Sequence, residues 1–231
     1  MICQSSAGGD KQREPKTAAS THPRTSHIIR NEDQLRALIG EPAELTCAKV
    51  SDRLNPMTRP FIERSPFVCM ATSDLAGHCD LNPQGDPAGF VRILDERTLL
   101  VPDRPGNRLA DALRNMLANP HVALLFIVPG VADTFRVNGR ATITTDAELH
   151  AACAVEGKPP SLGLLVDIDE AYTQCSKAFL RSQPWDAQRF VDPATMPTGG
   201  QVHHATQGGQ FDAEQYDLER AERYRRRIGF F

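Results

Sequence analysis

At 231 residues and 40% hydrophobic content, the chain can bury a sizeable core, as one domain with tails or one and a half domains. Its net charge of −3 argues against a general nucleic-acid binder. No apolar run approaches the ~18 residues of a membrane span and the polar N-terminus has no apolar signal-peptide core, so a cytoplasmic location is expected.

Residues 1–26 are rich in Ser, Thr, Lys, Gly and Pro and carry almost no large apolar side chains, the composition of a disordered tail. Residues 27–190 are read as the folded domain, with a helical lead-in, and 191–231 as a linker and C-terminal helix. Asn31 caps a short predicted helix to Ile39, with Leu35, Leu38 and Ile39 on one side. Asp52 to Ser65 carries two prolines and predicts at best a broken helix. Short strands follow at Phe67–Thr72, His78–Leu81, Phe90–Leu94 and Thr98–Val101, separated by Gly, Pro and Asp. Such spacing favours a barrel or sandwich over alternating βαβ units.

The most informative stretch runs from Leu99 to Asn119: a strand, a turn over Pro102–Gly106, then a helix from Asn107 with apolar residues at 109, 112, 113, 116 and 117. With Asn107 as N-cap, Arg104 and Arg108 would flank free backbone N–H groups at the positive end of the helix dipole, where an anion binds well. Two solvated arginines beside an ordinary turn would read the same way. His121–Val128 is an unbroken apolar run, fit for a strand buried on both faces. In Thr134–Ile143, Phe135, Val137, Gly139, Ala141 and Ile143 alternate with Thr134, Arg136, Asn138, Arg140 and Thr142, giving one core face and one polar face.

A helix from Asp146 to Val155 and a strand from Leu162 to Ile168 come next, while Ala171–Leu180 fits helix and strand equally. Pro193–Gln210 reads as a loop, and its His203-His204 pair lacks the neighbours that would complete a zinc site. Phe211–Ile228 predicts a charged helix with Arg225–Arg227 at its C-terminal end. The six cysteines (3, 47, 69, 79, 153 and 175) include no CxxC pair and are expected as mostly buried free thiols. Gly-rich phosphate loops, nucleophile elbows and His-Glu-x-x-His are all missing, and no metal is expected. His78 and His121 begin strands and read as structural.

Several short motifs occur in a consistent order: Asp80-Leu81-Asn82-Pro83-Gln84-Gly85-Asp86, Gly89-Phe90-Val91, Pro102-Asp103-Arg104-Pro105-Gly106-Asn107-Arg108, Asn119-Pro120 and Arg136-Val137-Asn138-Gly139-Arg140-Ala141, with a closing segment from Cys175 to Trp185. Together they resemble the pyridoxamine 5′-phosphate oxidase-like, FMN-binding split-barrel family, in particular a bacterial flavoprotein subgroup, over roughly 120 residues. The resemblance implies a mainly β, α+β split barrel with peripheral helices, and a cytoplasmic FMN-dependent oxidoreductase passing hydride through flavin N5 to or from a small molecule. Arg104, Asn107 and Arg108 would hold the FMN phosphate. A loop with Asn82, Pro83 and Gln84 and the turn with Pro102 and Asp103 would lie near the ring. A homodimer would build two sites across its interface, the partner copy adding Thr134, Arg136, Lys177, Arg181 and Trp185.

Arg136 and Arg181 are candidates to hold an anionic substrate group, and Trp185 to close the ring pocket by stacking. The chain departs from the subgroup at Asn82 and Gln84, where serine and arginine are usual, so a positive charge near the ring is lost. It also lacks the Arg-x-His signature of vitamin B6 oxidases. No acid or base catalyst emerges. A non-catalytic FMN-storage dimer and a deazaflavin- or haem-binding relative are the alternatives.

Overall fold

The structure, a computed structural model, describes residues 28–231; the tail expected over 1–26 lies outside them. The chain divides into two units between Cys47 and Ala48. The first holds helix α1 (Glu32–Ile39), capped as expected by the Asn31 side chain, which accepts from the Gln34 backbone N–H. A second short helix, α2, spans Glu44–Ala48.

The second unit is built on one seven-stranded antiparallel sheet: β1 (Phe67–Ser73), β2 (Cys79–Gly85), β3 (Arg92–Ile93), β4 (Thr98–Asp103), β5 (His121–Ile127), β6 (Thr134–Thr144) and β7 (Leu162–Gln174), in the order β2-β1-β5-β6-β7-β4-β3. The sheet is not closed by hydrogen bonds, giving a split barrel of the expected mainly β, α+β class. Val68, Met70, Leu99, Val101, Leu124, Phe126, Phe135, Val137, Leu164 and Val166 fill its interior. Each strand contributes alternate residues because side chains point to opposite faces with a period of two. Helix α3 (Arg59–Glu63) adds Ile62, and Phe61 stacks on Phe135 at 5.7 Å.

Several elements differ from the sequence reading, each for a local reason. β2 continues four residues past Leu81, through Pro83, which an edge strand tolerates because the missing N–H faces no partner. β3 shrinks to Arg92–Ile93. Pro102 and Asp103 lie in β4, paired with Gly163 and Leu162, and are not turn residues. β5 is buried on one face only: Val122, Leu124 and Phe126 point inward, while Ala123, Leu125 and Ile127 lie on the outer, half-buried face. β7 runs on to Gln174 before helix α6 (Lys177–Ser182), so the ambiguous stretch is strand first and helix second.

Helix α4 spans Asp111–Ala118 and begins four residues later than expected; Asn107 is not its cap, and its Oδ1 accepts from the Leu109 N–H instead. Its buried stripe shifts to Ala112, Leu113, Asn115 and Met116, leaving Leu109 and Leu117 exposed. Helix α5 (Ala147–Ala151) is capped by Asp146. Within the region read as loop, Thr198 and Gln201 form a capping box that starts helix α7 (Gly199–Thr206), a spacing the sequence carries openly. Helix α8 (Ala213–Arg225) packs on α7, where His203 meets Phe211 and Tyr216 at 5.2 Å and His204 Nδ1 bonds the Phe211 carbonyl. Five described cysteines are free thiols, and only Cys153 is fully buried, so the expectation of mostly buried thiols is corrected.

The approach to the barrel carries a surface ion cluster in which Asp52 pairs with Arg53 and Arg97. Hydrogen bonds from both guanidinium groups hold the Asp52 carboxyl down at about 2. A depressed folded value stabilises above the unfolded carboxyl value near 4 and is lost as pH falls through about 2. The urea stability of wild type over Asp52→Asn is therefore expected to be constant above about pH 4 and to close between about pH 4 and 2. A pH-independent difference would remove the assignment.

Candidate functional site

β2, one edge of the open sheet, meets the end of β4 that β3 leaves uncovered through side chains. Arg104, just past β4, donates from Nε to Asp86 Oδ2 at 2.7 Å, just past β2. Its Nη2 donates to the Cys153 carbonyl at 2.7 Å and its Nη1 to the Lys158 carbonyl at 3.4 Å. The pair is nearly dry, with side-chain exposures of 12% for Arg104 and 4% for Asp86. Phe231 covers it, its ring 5.4 Å from the Arg104 guanidinium. Arg104 thus clasps the split barrel, and three of its five N–H donors are spent within the chain.

At the other end of β2, Asn115 of α4 donates from Nδ2 to Asp80 Oδ2 at 2.8 Å and to Thr72 Oγ1 at 3.0 Å. Asp80 and Asp86 are thereby fixed to α4 and β4, with β2 between them. Asn82 and Gln84 sit in that interval and face the same way as Asp80, because their cross-strand partners Met70 and Val68 are core residues. The exposed connection from Arg104 to α4 carries Asn107 and Arg108; its two ends are tied to Asp86 and, through Asn115, to Asp80, which bound a strip of roughly 20 Å at ~3.3 Å per residue. Burial pushes the Asp103 carboxyl up from its ordinary value at the foot of the same connection.

Two features of the strip lack an internal explanation. The Asn82 Nδ2 atom is buried and has no hydrogen-bond partner. Arg108 and Ala110 hold left-handed backbones, φ 64° and 55°, which cost non-glycine residues about 1–3 kcal/mol each. Arg108 is exposed and its side chain makes no ion pair among the described residues.

The other predicted residues lie elsewhere. Pro83 points to the opposite face from Asn82, so the three residues expected to act together from a loop are divided between two faces of a strand. A cross-strand row on that outer face runs Pro83, Cys69, Leu125, Arg136, Tyr172. Thr134 is buried two residues before Arg136. Arg136 donates from Nη1 to the Tyr172 hydroxyl at 3.2 Å and, with the Gln174 amide turned to offer its oxygen, from Nε and Nη2 to Gln174. Lys177 and Arg181 are exposed on α6. Trp185 packs on Phe179 at 5.7 Å and donates from Nε1 to the Val131 carbonyl at 3.1 Å.

Within one chain, then, Asn82 and Gln84 lie on the inner strip, Arg104 is tied to its end through Asp86, Asn107 and Arg108 sit on the exposed connection that follows, and Asp103 and the buried Pro102 belong to β4. Arg136 lies across the sheet from them. Sequence reasoning overlooked Asn115 and Asp86. The signal for Asn115 was an amide in the middle of an otherwise apolar stripe; Asp86 sat inside a recognised motif with nothing to mark it as Arg104's partner. No group of three or more metal-ligating side chains occurs among the described residues. No helix among them is long and apolar enough to cross a membrane.

No curated protein matches the chain. Solved structures with similar cores include HupZ from Group A Streptococcus, 16% identical over 52% of this chain and 93% of that one, with a TM-score of 0.43. General Stress Protein 26 from Bacillus anthracis is 16% identical over 50% and 89%, with a TM-score of 0.39. An FMN-binding protein from Syntrophomonas wolfei is 14% identical over 52% and 89%, also with a TM-score of 0.39. Residues 54–175, from just before α3 to the end of β7, match the family model described as pyridoxamine 5′-phosphate oxidase; this is more than half of the chain, and the chain belongs to that family.

Proposed function

We propose that the protein binds FMN and is an FMN-dependent oxidoreductase of a small molecule, working as a cytoplasmic homodimer. The observation that carries the reading is the orphaned amide of Asn82, buried on the strip between Asp80 and Asp86, to whose two ends the strained, arginine-bearing connection is tied. A buried donor without an acceptor costs about 1–3 kcal/mol, and an acceptor on a bound ring would relieve it. Arg108 and the side chain of Asn107 would hold the phosphate, and Gln84 and Asp103 would border the ring. Bound FMN would supply hydride transfer at N5; the chain's part is to orient the ring, exclude water and present the substrate. Arg104 serves this site indirectly, by fixing the loop that carries Arg108.

The homodimer reading rests on the outer face. Phe67, Cys69, Ala71, Leu81, Leu125 and Ile127 form a continuous apolar surface, with Leu81 68% exposed. A second copy on this face would cover it, and a two-fold axis would carry Arg136 of each copy toward the other's strip. Leu81→Glu is expected to convert a dimer into a folded monomer, read by light scattering with circular dichroism as the fold control. An unchanged mass would remove this face from the interface.

The absorption spectrum of freshly purified protein tests the cofactor, with mass identification of what heat releases. Flavin bands and released FMN carry the reading, and turnover with NADH or NADPH then separates an enzyme from a storage protein. Protein that neither retains nor rebinds FMN ends it. Arg108→Ala is expected to weaken FMN retention about tenfold or more while leaving the fold intact, since charge-assisted bonds to phosphate are among the strong ones. Unchanged retention would take Arg108 out of the site.

A further inference from the structure

Around Arg136, on the outer face of the sheet, lies a cluster apart from its own chain's inner strip. Past Asp167, β7 outruns β4, and the chain before α3 covers its free edge through paired hydrogen bonds between Ser51 and Ala171. This brings Lys49 alongside Thr173, whose carbonyl accepts from Lys49 Nζ at 2.8 Å. The same ammonium stands 5.8 Å from the centre of the Tyr172 ring, and the Arg136 guanidinium stands 5.7 Å from it. One aromatic ring therefore holds two cations.

The hydrogen-bonding inventory of this cluster is one-sided. Lys49 spends one of three N–H donors, Arg136 three of five, and the Tyr172 hydroxyl accepts from Arg136 with its own proton still to give. Neither cation pairs with a carboxylate among the described residues. The nearest acid along the strand, Glu170, is engaged by the Asn138 amide at 2.8 Å. Two like charges held on one ring, with free donors and no free acceptor, form a cradle short of negative charge.

We infer that Lys49, Arg136 and Tyr172 form a binding site for a dianionic group, phosphate or paired carboxylate, and that the substrate of the proposed oxidoreductase carries such a group. Binding here stands on these three residues alone; assigning the ligand as substrate rests on the FMN reading. Arg136 supplies the forked donors, Lys49 a mobile point charge, and Tyr172 both a platform and a hydroxyl donor.

The test is calorimetric titration of inorganic phosphate, and in parallel malonate, into full-length Arg108→Ala protein, which lacks the other candidate anion site. Binding of either dianion is expected, weakened at least tenfold by adding Lys49→Met and threefold or more by adding Tyr172→Phe. Both changes are on partly exposed side chains and keep their packing bulk; circular dichroism checks the fold. No binding, or binding indifferent to Lys49, overturns the site. So does a Lys49→Met protein whose only defect is weaker self-association, because that would make the missing acid a partner's. Lys49→Met in the wild-type background is expected to retain flavin unchanged, so loss of this site and loss of the cofactor reading are told apart.

Discussion

Arg104→Met is expected to cost about 3–5 kcal/mol of folding free energy, one of the two largest single-residue losses in the protein. The change leaves Asp86 buried as an uncompensated carboxylate with 4% of its side chain exposed, and strips donors from the Cys153 and Lys158 carbonyls. For a chain of this length that lowers Tm by roughly 6–20 °C. Urea unfolding followed by circular dichroism measures it. The double change Arg104→Met with Asp86→Leu is expected to recover much of the loss, because replacing both members of a buried pair with apolar groups is often close to neutral. If Arg104→Met were as stable as wild type and lost only flavin, Arg104 would be a phosphate ligand and not a clasp.

Gly139→Ala is expected to be as damaging, for a reason of space alone. A Cβ at Gly139 would stand 2.1 Å from the Asp167 carbonyl oxygen, a backbone atom that cannot step aside. The crowding arises where β6 and β7 change register between Asn138 and Gly139, with Asp169 the extra residue on β7. Relief would require pulling the two longest strands apart, a cost in the range of several kcal/mol reserved for core overpacking and backbone disruption. Soluble yield and unfolding midpoint measure it, with Ala141→Gly on the same face as the mild comparison. A Gly139→Ala protein of normal stability would mean that the bulge is free to slide.

These two positions mark where the sequence was legible and where it was not. Alternation made β6 readable residue by residue, since one face is core and the other polar, and the Arg-Val-Asn-Gly run could be recognised without knowing why it needs glycine. The reason lies in a carbonyl on another strand, 28 positions away in the chain and invisible to local pattern. Asn107 looked like a cap because cap preference is local; the loop instead turns through left-handed Arg108 and Ala110, which local preference disfavours. Arg104 read as a phosphate clamp, whereas the structure spends three of its donors within the chain; its partner Asp86 becomes its neighbour only when distant strands come together. The Thr198–Gln201 cap was readable and was outweighed by the surrounding Pro and Gly. In the candidate site, Asn82, Pro83 and Gln84 could be named from their motif, but their division between two faces follows from β2 being a strand.

The strand order also sets a timetable for synthesis. The β1–β2 and β3–β4 hairpins are made first, one after the other, yet they finish at opposite edges of the sheet. What separates them is the β5–β6–β7 meander, which pairs with β1 on one side and β4 on the other. About 54 residues lie between the end of β1 and the end of β5 and about 71 between the end of β4 and the end of β7, so a ribosome adding ~5–20 residues per second leaves the inward edge of β1 without its partner for roughly 3–11 s and that of β4 for roughly 4–14 s. Until β5 is made the nascent chain presents two apolar strand edges capable of joining other chains, and from then until β7 is made it presents one. The protein's dependence on chaperones should therefore be concentrated in those seconds of translation and should fall once the meander has emerged.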